Sequence, residues 1–422
     1  MFTALRSRDF RLLWIGQSAS VIGDNLVVVA LALYVTRLTG KASDVAAVLV
    51  AYSLPLVVFV LIGGVVADRL PRQRLIVSTD LIRACLHGAL ALLIATGSVR
   101  VWHMVVIGVC FATAEAFFRP AYTGLIPQTV AESDIQSAQA LSGMSSSLAE
   151  FASPALATAL VLGVGGAAAF GLDALTFCVS AFLIWRVRPR ARGDFSGEPA
   201  PVLSDLREGW QALRARTWVW ATILSFSATL LLALAPFFVL GASVSRSEYG
   251  GEAVFGLTNA CWGIGTVTGA VVASRWRPRH PMRTGMQAAL WWPLAIAVYA
   301  AGAPLPIVYS AMTLAGLGIG LFGVWWETAL AQRIPPHLLS RVSAWDWMGS
   351  LALLPLGYLL SGVLANTFGA VPVMLVGGLA GGVSMLLGLA PASTRHLLRI
   401  EEPARPAVEA PLIEPAPAEV GR

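Results

Sequence analysis

Long apolar segments alternate with short polar ones along almost the whole chain. A helix needs about 20 apolar residues to cross a bilayer. Twelve segments come close to that length, at residues 12–36, 45–67, 75–97, 101–125, 138–162, 167–187, 218–242, 253–274, 285–302, 305–329, 343–365 and 371–391. The pattern predicts an all-α integral membrane protein with twelve transmembrane helices, whose first partner is the lipid bilayer.

The composition excludes most other classes of protein. Of the 422 residues, 57% are hydrophobic and 12% are charged, whereas soluble domains carry about 25% charged residues. The net charge of +6 comes from short clusters between apolar segments, so we expect no nucleic-acid partner. Lys41 is the single lysine. The chain therefore has no Walker-type phosphate loop, and we expect no hydrolysis of ATP.

Residue patterns typical of enzymes or metal sites do not stand out. The four cysteines lie far apart inside apolar segments, and the five histidines form no motif. Metal sites and disulfide frameworks are normally recognised by close, regular spacing of these residues. The sequence therefore predicts no enzyme activity, no cofactor and no metal.

The basic residues indicate how the helices are oriented. With twelve spans, 23 of the 29 basic residues fall on the side of the N-terminus, four fall on the opposite side, and two lie inside helices. Lysine and arginine concentrate on the cytoplasmic side of a membrane. We therefore expect a multi-pass protein of the cell membrane with both termini in the cytoplasm.

A repeated stretch divides the chain into two halves. Gly63–Arg74 is a tight basic hairpin between two apolar segments, and Gly269–His280 repeats it in weakened form about 200 residues later. We expect an N-terminal six-helix bundle at 1–188, a cytoplasmic linker at 189–216, a C-terminal six-helix bundle at 217–391, and a disordered tail at 392–422. Within the linker, Asp205–Arg216 predicts an amphipathic helix with Trp210 and Leu213 facing lipid.

These features together resemble the major facilitator superfamily, and several short strings resemble its branch of enterobactin exporters and macrolide efflux pumps. Pro71 stands where the superfamily's loop signature has glycine. The strings are Gly23-Asp24-Asn25, Leu38-Thr39-Gly40, Phe117-Phe118-Arg119-Pro120-Ala121, Leu172-Asp173-Ala174-Leu175-Thr176-Phe177, Gln332-Arg333-Ile334-Pro335 and Ser340-Arg341-Val342. The resemblance covers about residues 5–391. It implies two pseudo-symmetric bundles that rock about a central cavity to carry a small molecule.

The repeated hairpin is the predicted gate. Gly63 and Gly64 are expected to let the backbone bend, and the resemblance implies that Asp68 meets the start of helix 11. A carboxylate at a helix N-terminus is favoured by about 0.3–1 kcal/mol. The alternative is that the arginines Arg69, Arg72 and Arg74 serve only to fix topology.

Ionisable residues inside the spans are the other candidates for mechanism, since each costs about 2.5–3.5 kcal/mol to insert. A carboxylate removed from water can take and release a proton at working pH, so Asp24, Glu115 and Glu150 are candidates for proton coupling, with Asp24 the first. A hydrogen-bonded carboxyl that fixes helix packing is the alternative. Near the cytoplasmic side we expect charge pairs or ties between helices, formed by Asp80, Arg83, Arg119, Glu327 and Asp346.

Aromatic and polar residues of the spans could line the path of the substrate. Trp262 and Trp325 lie deep enough to contact a bulky apolar ligand, and Asn25 adjoins Asp24. Packing against lipid is the alternative for each tryptophan.

The sequence thus favours a proton-coupled exporter, an antiporter, of a small amphipathic molecule such as a drug, an antibiotic or a siderophore. An importer or facilitator for a nutrient is the second hypothesis, although few polar groups lie at mid-membrane. A membrane sensor or scaffold that does not transport is the third, although no extra folded domain is visible.

Overall fold

The computed structural model describes residues 3–131, 134–190 and 202–399, and it is built from helices. A short 3-10 turn at Thr3–Arg6 precedes them. In chain order the helices are α1 Arg8–Thr39, α2 Ala42–Arg69, α3 Arg72–Ala95, α4 Val101–Thr129, α5 Ile135–Ala159, α6 Gly166–Trp185, α7 Val202–Arg214, α8 Thr217–Thr229, α9 Ala235–Tyr249, α10 Ala253–Arg275, α11 Pro281–Ala289, α12 Trp291–Ala300, α13 Leu305–Arg333, α14 Pro336–Leu351, α15 Leu354–Phe368, α16 Ala370–Gly388 and α17 Ala392–Arg395.

Ten helical stretches of the described chain are long and apolar enough to cross a membrane. The two remaining predicted spans, 138–162 and 285–302, are also helical. The first is α5 extended by a π-helical turn at Leu160–Val164, and the second is α11 and α12 joined at Leu290. The prediction of an all-α membrane fold is confirmed.

Local sequence explains where the helices stop. Ser7 caps the start of α1 by accepting a hydrogen bond from the Phe10 amide, and Gly40 ends the same helix with φ +68° while its N–H donates to the Thr36 carbonyl. Only glycine adopts that left-handed conformation cheaply. The apolar run can therefore end and reverse within two residues.

The helices pack as two groups. In the first, α1 packs against α5 and α6, α3 against α4 and α6, and α2 against α4. In the second, α10 packs against α13, α11 against α13, and α16 against α8 and α12. Small residues allow the close approaches. Gly63 of α2 meets the backbone of Ala116 in α4, and Gly269 of α10 meets the backbone of Leu317 in α13, so the two repeat glycines make equivalent contacts.

The two groups touch at the end of the molecule that carries Lys41, which we call the Lys41 end. There α2 packs against α15 and α5 against α10. Gly362 lies against Ala46, and Gly256 lies against Thr158. The opposite end, where α2 turns into α3 at Leu70 and Pro71, is called the Arg72 end.

A cluster of charges ties the two groups together at the Lys41 end. Glu252, whose side chain is only 6% exposed, accepts hydrogen bonds from Arg37 of α1 and Arg246 of α9. Arg37 also reaches the Val161 carbonyl, and Arg246 reaches the Thr36 carbonyl, each at 3.5 Å. These bonds link the first group to the second at their ends.

Helix α2 continues through Gly63 and Gly64 to Arg69, and Gly63 contacts the backbone of α4, so the predicted bend stays a prediction. Two other expectations from the sequence need correction. The linker helix α7 packs against α14, and its Leu213 is buried against protein, not lipid. The predicted tail is ordered at its start, where α17 lies and where the Arg399 amide donates to the Arg279 carbonyl. Residues 400–422 lie outside the described chain.

Candidate functional site: a buried charge cluster and an aromatic cavity

A fully buried arginine is the centre of a charge cluster in the first group of helices. Arg83 of α3 has no exposed side-chain surface and donates a hydrogen bond to Asp80, one turn before it. Its other terminal nitrogen, Nη1, lies 3.6 Å from Asp24 Oδ2 in α1. The Ser180 hydroxyl of α6 donates to the second oxygen of Asp80 at 2.7 Å. Three helices thus meet at this one cation.

The rings of Phe118 and Phe177 cover the guanidinium of Arg83, with centroids 4.1 and 4.2 Å from its central carbon. An aromatic face attracts a cation most strongly where water is absent. The rings therefore hold the charge in the apolar interior and keep water away from it.

A second buried pair lies on the same face of α3. Asp80, Arg83 and His87 follow one another at intervals of three and four residues, the spacing of one helical face. His87 is fully buried, and its Nδ1 is hydrogen-bonded to Oδ2 of Asp173 in α6. On the other side of the ring, Nε2 lies 3.1 Å from the hydroxyl of Tyr52 in α2. The Phe111 ring stacks on the imidazole at 4.2 Å.

A glycine lets Asp173 approach α1. A methyl group at Gly23 would overlap Oδ1 of Asp173, so the residue before Asp24 touches the carboxylate that holds His87. Oδ1 of Asp173 and Oδ1 of Asp24 are both buried and have no hydrogen-bond partner in the described structure. The glycine of the Gly23-Asp24-Asn25 string is therefore explained by contact between helices.

Glu115 and Arg119 complete the cluster from α4. Arg119 donates two hydrogen bonds to Glu115, at 2.8 and 2.6 Å. Both charges act on Asp24. The side chains of Asp24 and Glu115 are 20% and 14% exposed, and that of Arg119 is 48% exposed. These three residues therefore form the accessible edge of the cluster, and Asp80, Arg83, His87 and Asp173 form its buried part.

The second group of helices contains an aromatic cavity of about 190 Å³. Helices α8, α13 and α14 line it with Thr222, Ile223, Phe226, Phe322, Trp326, Glu327, Asp346, Ser350 and Leu351. Phe226 stacks on Phe322 at 4.4 Å, and the Trp326 Nε1 donates to Asp346 Oδ2 at 2.9 Å. The lining has two carboxylates and no basic side chain.

The structure separates residues that the sequence grouped together. Glu327 and Asp346 were expected among the charge pairs near one membrane surface, but they face the aromatic cavity. Arg83, expected to pair near the cytoplasmic side, also lies 3.6 Å from Asp24, the first candidate for proton coupling. Helical spacing fixes neighbours on one helix, and it does not tell which faces of different helices meet.

The predicted substrate-path residues lie elsewhere. Trp325 is buried, and its Nε1 donates to the Trp276 carbonyl at 3.3 Å, while its neighbour Trp326 lines the cavity. The Trp262 indole nitrogen is buried and has no partner among the described residues. Asn25 donates to the Val21 carbonyl of its own helix.

The structure describes the side chains of some of the predicted gate residues. Arg72 donates to the Gly124 carbonyl of α4 at 2.5 Å, so it ties α3 to α4. Arg69 and Arg74 are exposed at the Arg72 end. The positions of Asp68 and Glu150 are helical, but their side chains lie outside the described part of the structure, so the roles predicted for them stay predictions.

Comparison with known proteins places this architecture in a family. A family model described as "transmembrane secretion effector", a branch of the major facilitator superfamily, matches residues 1–414. The chain belongs to this family. The prediction of a major facilitator transporter similar to efflux pumps is therefore confirmed.

Curated relatives of this transporter include efflux pumps. Macrolide efflux protein A of Streptococcus pyogenes is 25% identical, over 87% of this chain and 92% of the relative. The multidrug efflux pump Tap of Mycolicibacterium fortuitum is 27% identical, over 85% of this chain and 91% of the relative. The chain is thus a multi-pass membrane transporter with efflux pumps among its relatives.

Solved structures share its fold at low identity. The nucleoside transporter NupG superposes with a TM-score of 0.69 at 13% identity, covering 90% of this chain and 98% of that one. A bacterial homologue of the human lysosomal transporter Spinster, in an inward-facing and unoccupied conformation, gives 0.68 at 14% identity, covering 92% and 96%. Both are transporters, and the likeness shows the fold alone.

Proposed function

We propose that this transporter exports a small amphipathic molecule in exchange for protons, by alternating access of the two groups of helices. The observation that carries the proposal is the charge balance of the buried cluster. Asp24, Asp80, Glu115 and Asp173 supply four carboxylates, against the two guanidinium groups of Arg83 and Arg119. With every carboxylate ionised and His87 neutral, the cluster carries two negative charges.

An excess of negative charge in a membrane interior is expensive. A single unpaired charge costs about 2.5–3.5 kcal/mol on insertion scales, and buried groups bind protons in preference to bearing that cost. We infer that protons bound within the cluster offset this excess of negative charge and are released when water reaches it. Asp24, at its accessible edge, is the group that we propose exchanges them first.

The contacts between the two groups support alternating access. The described contacts lie at the Lys41 end, where Glu252 bridges Arg37 and Arg246. The distribution of basic residues supports a cytoplasmic Arg72 end and an outer Lys41 end. We propose that these contacts close the outer end in the inward-facing state. The predicted docking of Asp68 at the start of α14 belongs to the opposite state.

The cavity in the second group supports a substrate that is apolar and positively charged. Three aromatic rings provide apolar surface and attract cations. The carboxylates of Glu327 and Asp346 add negative charge, and no basic side chain balances it within the lining. Among the substrates considered from the sequence, these features favour cationic drugs or antibiotics over an anionic siderophore.

Transport into inverted membrane vesicles tests the proposal. In such vesicles, acidification of the lumen should drive accumulation of a fluorescent cationic drug, and dissipation of the pH gradient should release it. The matched control is vesicles with the same amount of the Asp24→Asn variant. Accumulation of the drug that does not depend on the pH gradient would contradict proton coupling. Flux of the drug in the opposite direction would favour an importer.

A further inference from the structure

We infer that His87 and Asp173, together with the Tyr52 hydroxyl, form a second proton-binding site, buried behind Asp24 and electrically coupled to it. This inference deepens the proposed function and rests on it, since it names a further proton carrier of the same transport cycle. One proton on Asp24 would neutralise only one of the two excess negative charges of the cluster. The inference assigns the second proton to the pair of His87 and Asp173.

The hydrogen bonds of His87 allow it to gain and lose a proton without losing a partner. In the neutral ring, Nδ1–H donates to Asp173 and Nε2 accepts from the Tyr52 hydroxyl. In the charged ring both nitrogens donate, and the tyrosine oxygen accepts, because a hydroxyl can serve as donor or as acceptor. The observed neighbours, Asp173 Oδ2 and Tyr52 Oη, satisfy both states. A hydrogen bond that only held the helices together would not need a partner that can change from donor to acceptor.

The surroundings stabilise the charged ring without exposing it to water. Phe111 stacks on the imidazole with an interplanar angle of 5° and a centroid distance of 4.2 Å. The face of an aromatic ring favours a cation. Asp173 supplies the opposite charge, and both members of the pair are completely buried. The protonated pair is therefore neutral as a whole, and its deprotonated form leaves a bare carboxylate in an apolar interior.

Charged and titratable groups face the pair from every helix around it. Helix α2 supplies Tyr52 and helix α6 supplies Asp173. Glu115 of α4 interacts with His87, and Asp24 of α1 interacts with Asp173. On α3 itself, Asp80 and Arg83 precede His87, and Asp173 acts on Asp80 as well. Apart from Arg83 and the more distant Arg119, these neighbours are acidic or neutral.

The contact of Gly23 with Asp173 Oδ1 couples the pair to α1 mechanically. A displacement of α1 that exposes Asp24 also moves the wall of the cavity in which Asp173 lies. The proton on His87 is therefore expected to depend on the charge of Asp24 and on the position of α1. Two protons, one at Asp24 and one at His87, would neutralise the two excess charges of the cluster.

Nuclear magnetic resonance of histidine rings tests the inference without any substrate or gradient. The chain has five histidines, so a variant in which His103, His280, His337 and His396 are replaced by glutamine gives the ring signals of His87 alone. In purified, isotope-labelled protein, these signals should convert from imidazole to imidazolium positions as the pH is lowered across the range in which the protein stays folded. A ring that keeps one form throughout this range would overturn the inference.

Two further variants separate a proton site from a structural tie. Asp24→Asn should move the midpoint of the His87 titration, whereas Asp44→Asn, in the first turn of α2, should leave it in place. Tyr52→Phe removes the hydroxyl and should also move the midpoint. An Asp24→Asn protein whose His87 titrates as in the parent would contradict the coupling. If vesicle transport proved independent of protons while His87 titrated as described, the proposed function would fail and the proton site would stand.

Discussion

Arg83 Nη1 lies 3.6 Å from Asp24 Oδ2, across the boundary between α3 and α1. This distance makes Arg83 the cation that Asp24 faces whenever its carboxylate is charged. In the proposed transport cycle, a proton on Asp24 weakens this attraction, and loss of the proton restores it. The pair therefore links the charge of Asp24 to one contact between α1 and α3.

The first prediction concerns the neutral form of this carboxylate. Asp24→Asn should abolish accumulation driven by a pH gradient in inverted vesicles, because the amide cannot take up a proton, while binding of the drug to purified protein is retained. Asp44→Asn is the matched control and should transport as the parent does. Undiminished coupling in Asp24→Asn would show that protons enter elsewhere.

The second prediction concerns the aromatic cavity. Asp346→Asn should weaken the binding of a cationic drug by about ten- to a hundredfold, because an interaction with a charged group contributes about 1.5–3 kcal/mol. Glu327→Gln should have a smaller effect, since Glu327 is more exposed than Asp346 and only Asp346 is held by the Trp326 N–H. Fluorescence titration of purified protein measures both.

A neutral analogue of the same drug serves as the control for the cavity. Its affinity should change little in either variant, because it makes no charge interaction. Trp326→Phe keeps an aromatic ring but removes the N–H that holds Asp346. It should weaken the binding of the cationic drug more than the binding of the neutral analogue. Equal losses for both ligands would indicate that the variants disturb the cavity's shape and not its charge.

The third prediction compares two adjacent glycines of α2. A methyl group at Gly63 would overlap the Ala116 carbonyl, whereas one at Gly64 meets nothing within 4 Å. Gly63→Ala should therefore lower stability by about 1–3 kcal/mol, the usual cost of overpacking. Gly64→Ala should be neutral or stabilising by up to about 1 kcal/mol, because alanine is the better helix former. Thermal unfolding in detergent distinguishes them, and equal melting temperatures would refute the close contact.

The fourth prediction concerns the charge cluster at the Lys41 end. Glu252→Gln should weaken closure by about 1 kcal/mol, given the exposure of both arginines, and so raise the open fraction about fivefold. A cysteine at Thr158, which faces Gly256 across the two groups, reports opening through its labelling by an impermeant maleimide in a background without the native cysteines. Glu248→Gln, four residues earlier and exposed, is the control. No rise in labelling would mean that other contacts hold this end closed.

The fifth prediction concerns the gate proposed from the sequence. Asp68→Asn should slow transport strongly, because the amide cannot bind the start of α14 with the strength of a carboxylate. Arg74→Gln, at an exposed site of the same segment, should have a small effect. Initial transport rates in vesicles measure the effects of both substitutions. An Asp68→Asn variant that transports as fast as the parent would contradict the gate role.

Much of the fold follows from the sequence because membrane insertion leaves few alternatives. A backbone in lipid must satisfy its hydrogen bonds internally, so a run of about 20 apolar residues becomes a helix. The same physics does not fix which helix faces meet. Gly63 illustrates the limit, since a glycine that permits close packing and a glycine that permits a bend have the same letter in the sequence.

The buried cluster shows the same limit at the candidate site. The spacing of Asp80 and Arg83 was enough to predict neighbours on one helix. His87 was missed because it was considered alone, although its position one turn after Arg83 placed it on the same face. Its partner Asp173 is 86 residues away, and only the packing of α6 on α3 brings the two together. Leu213 was misplaced for a similar reason, because α14 covers a face that seemed free for lipid.

The charge cluster and the aromatic cavity lie in different groups of helices, and this separation has a consequence for how exchange is enforced. A proton and a drug that compete for one carboxylate exclude each other directly. In the proposed transport cycle, the proton and the drug bind in different groups of helices, so each can affect the other only through the contacts between the two groups. The stoichiometry of exchange would then be a property of how tightly the two rigid bodies move together. Substitutions at their contacts should loosen the exchange ratio without touching either binding site.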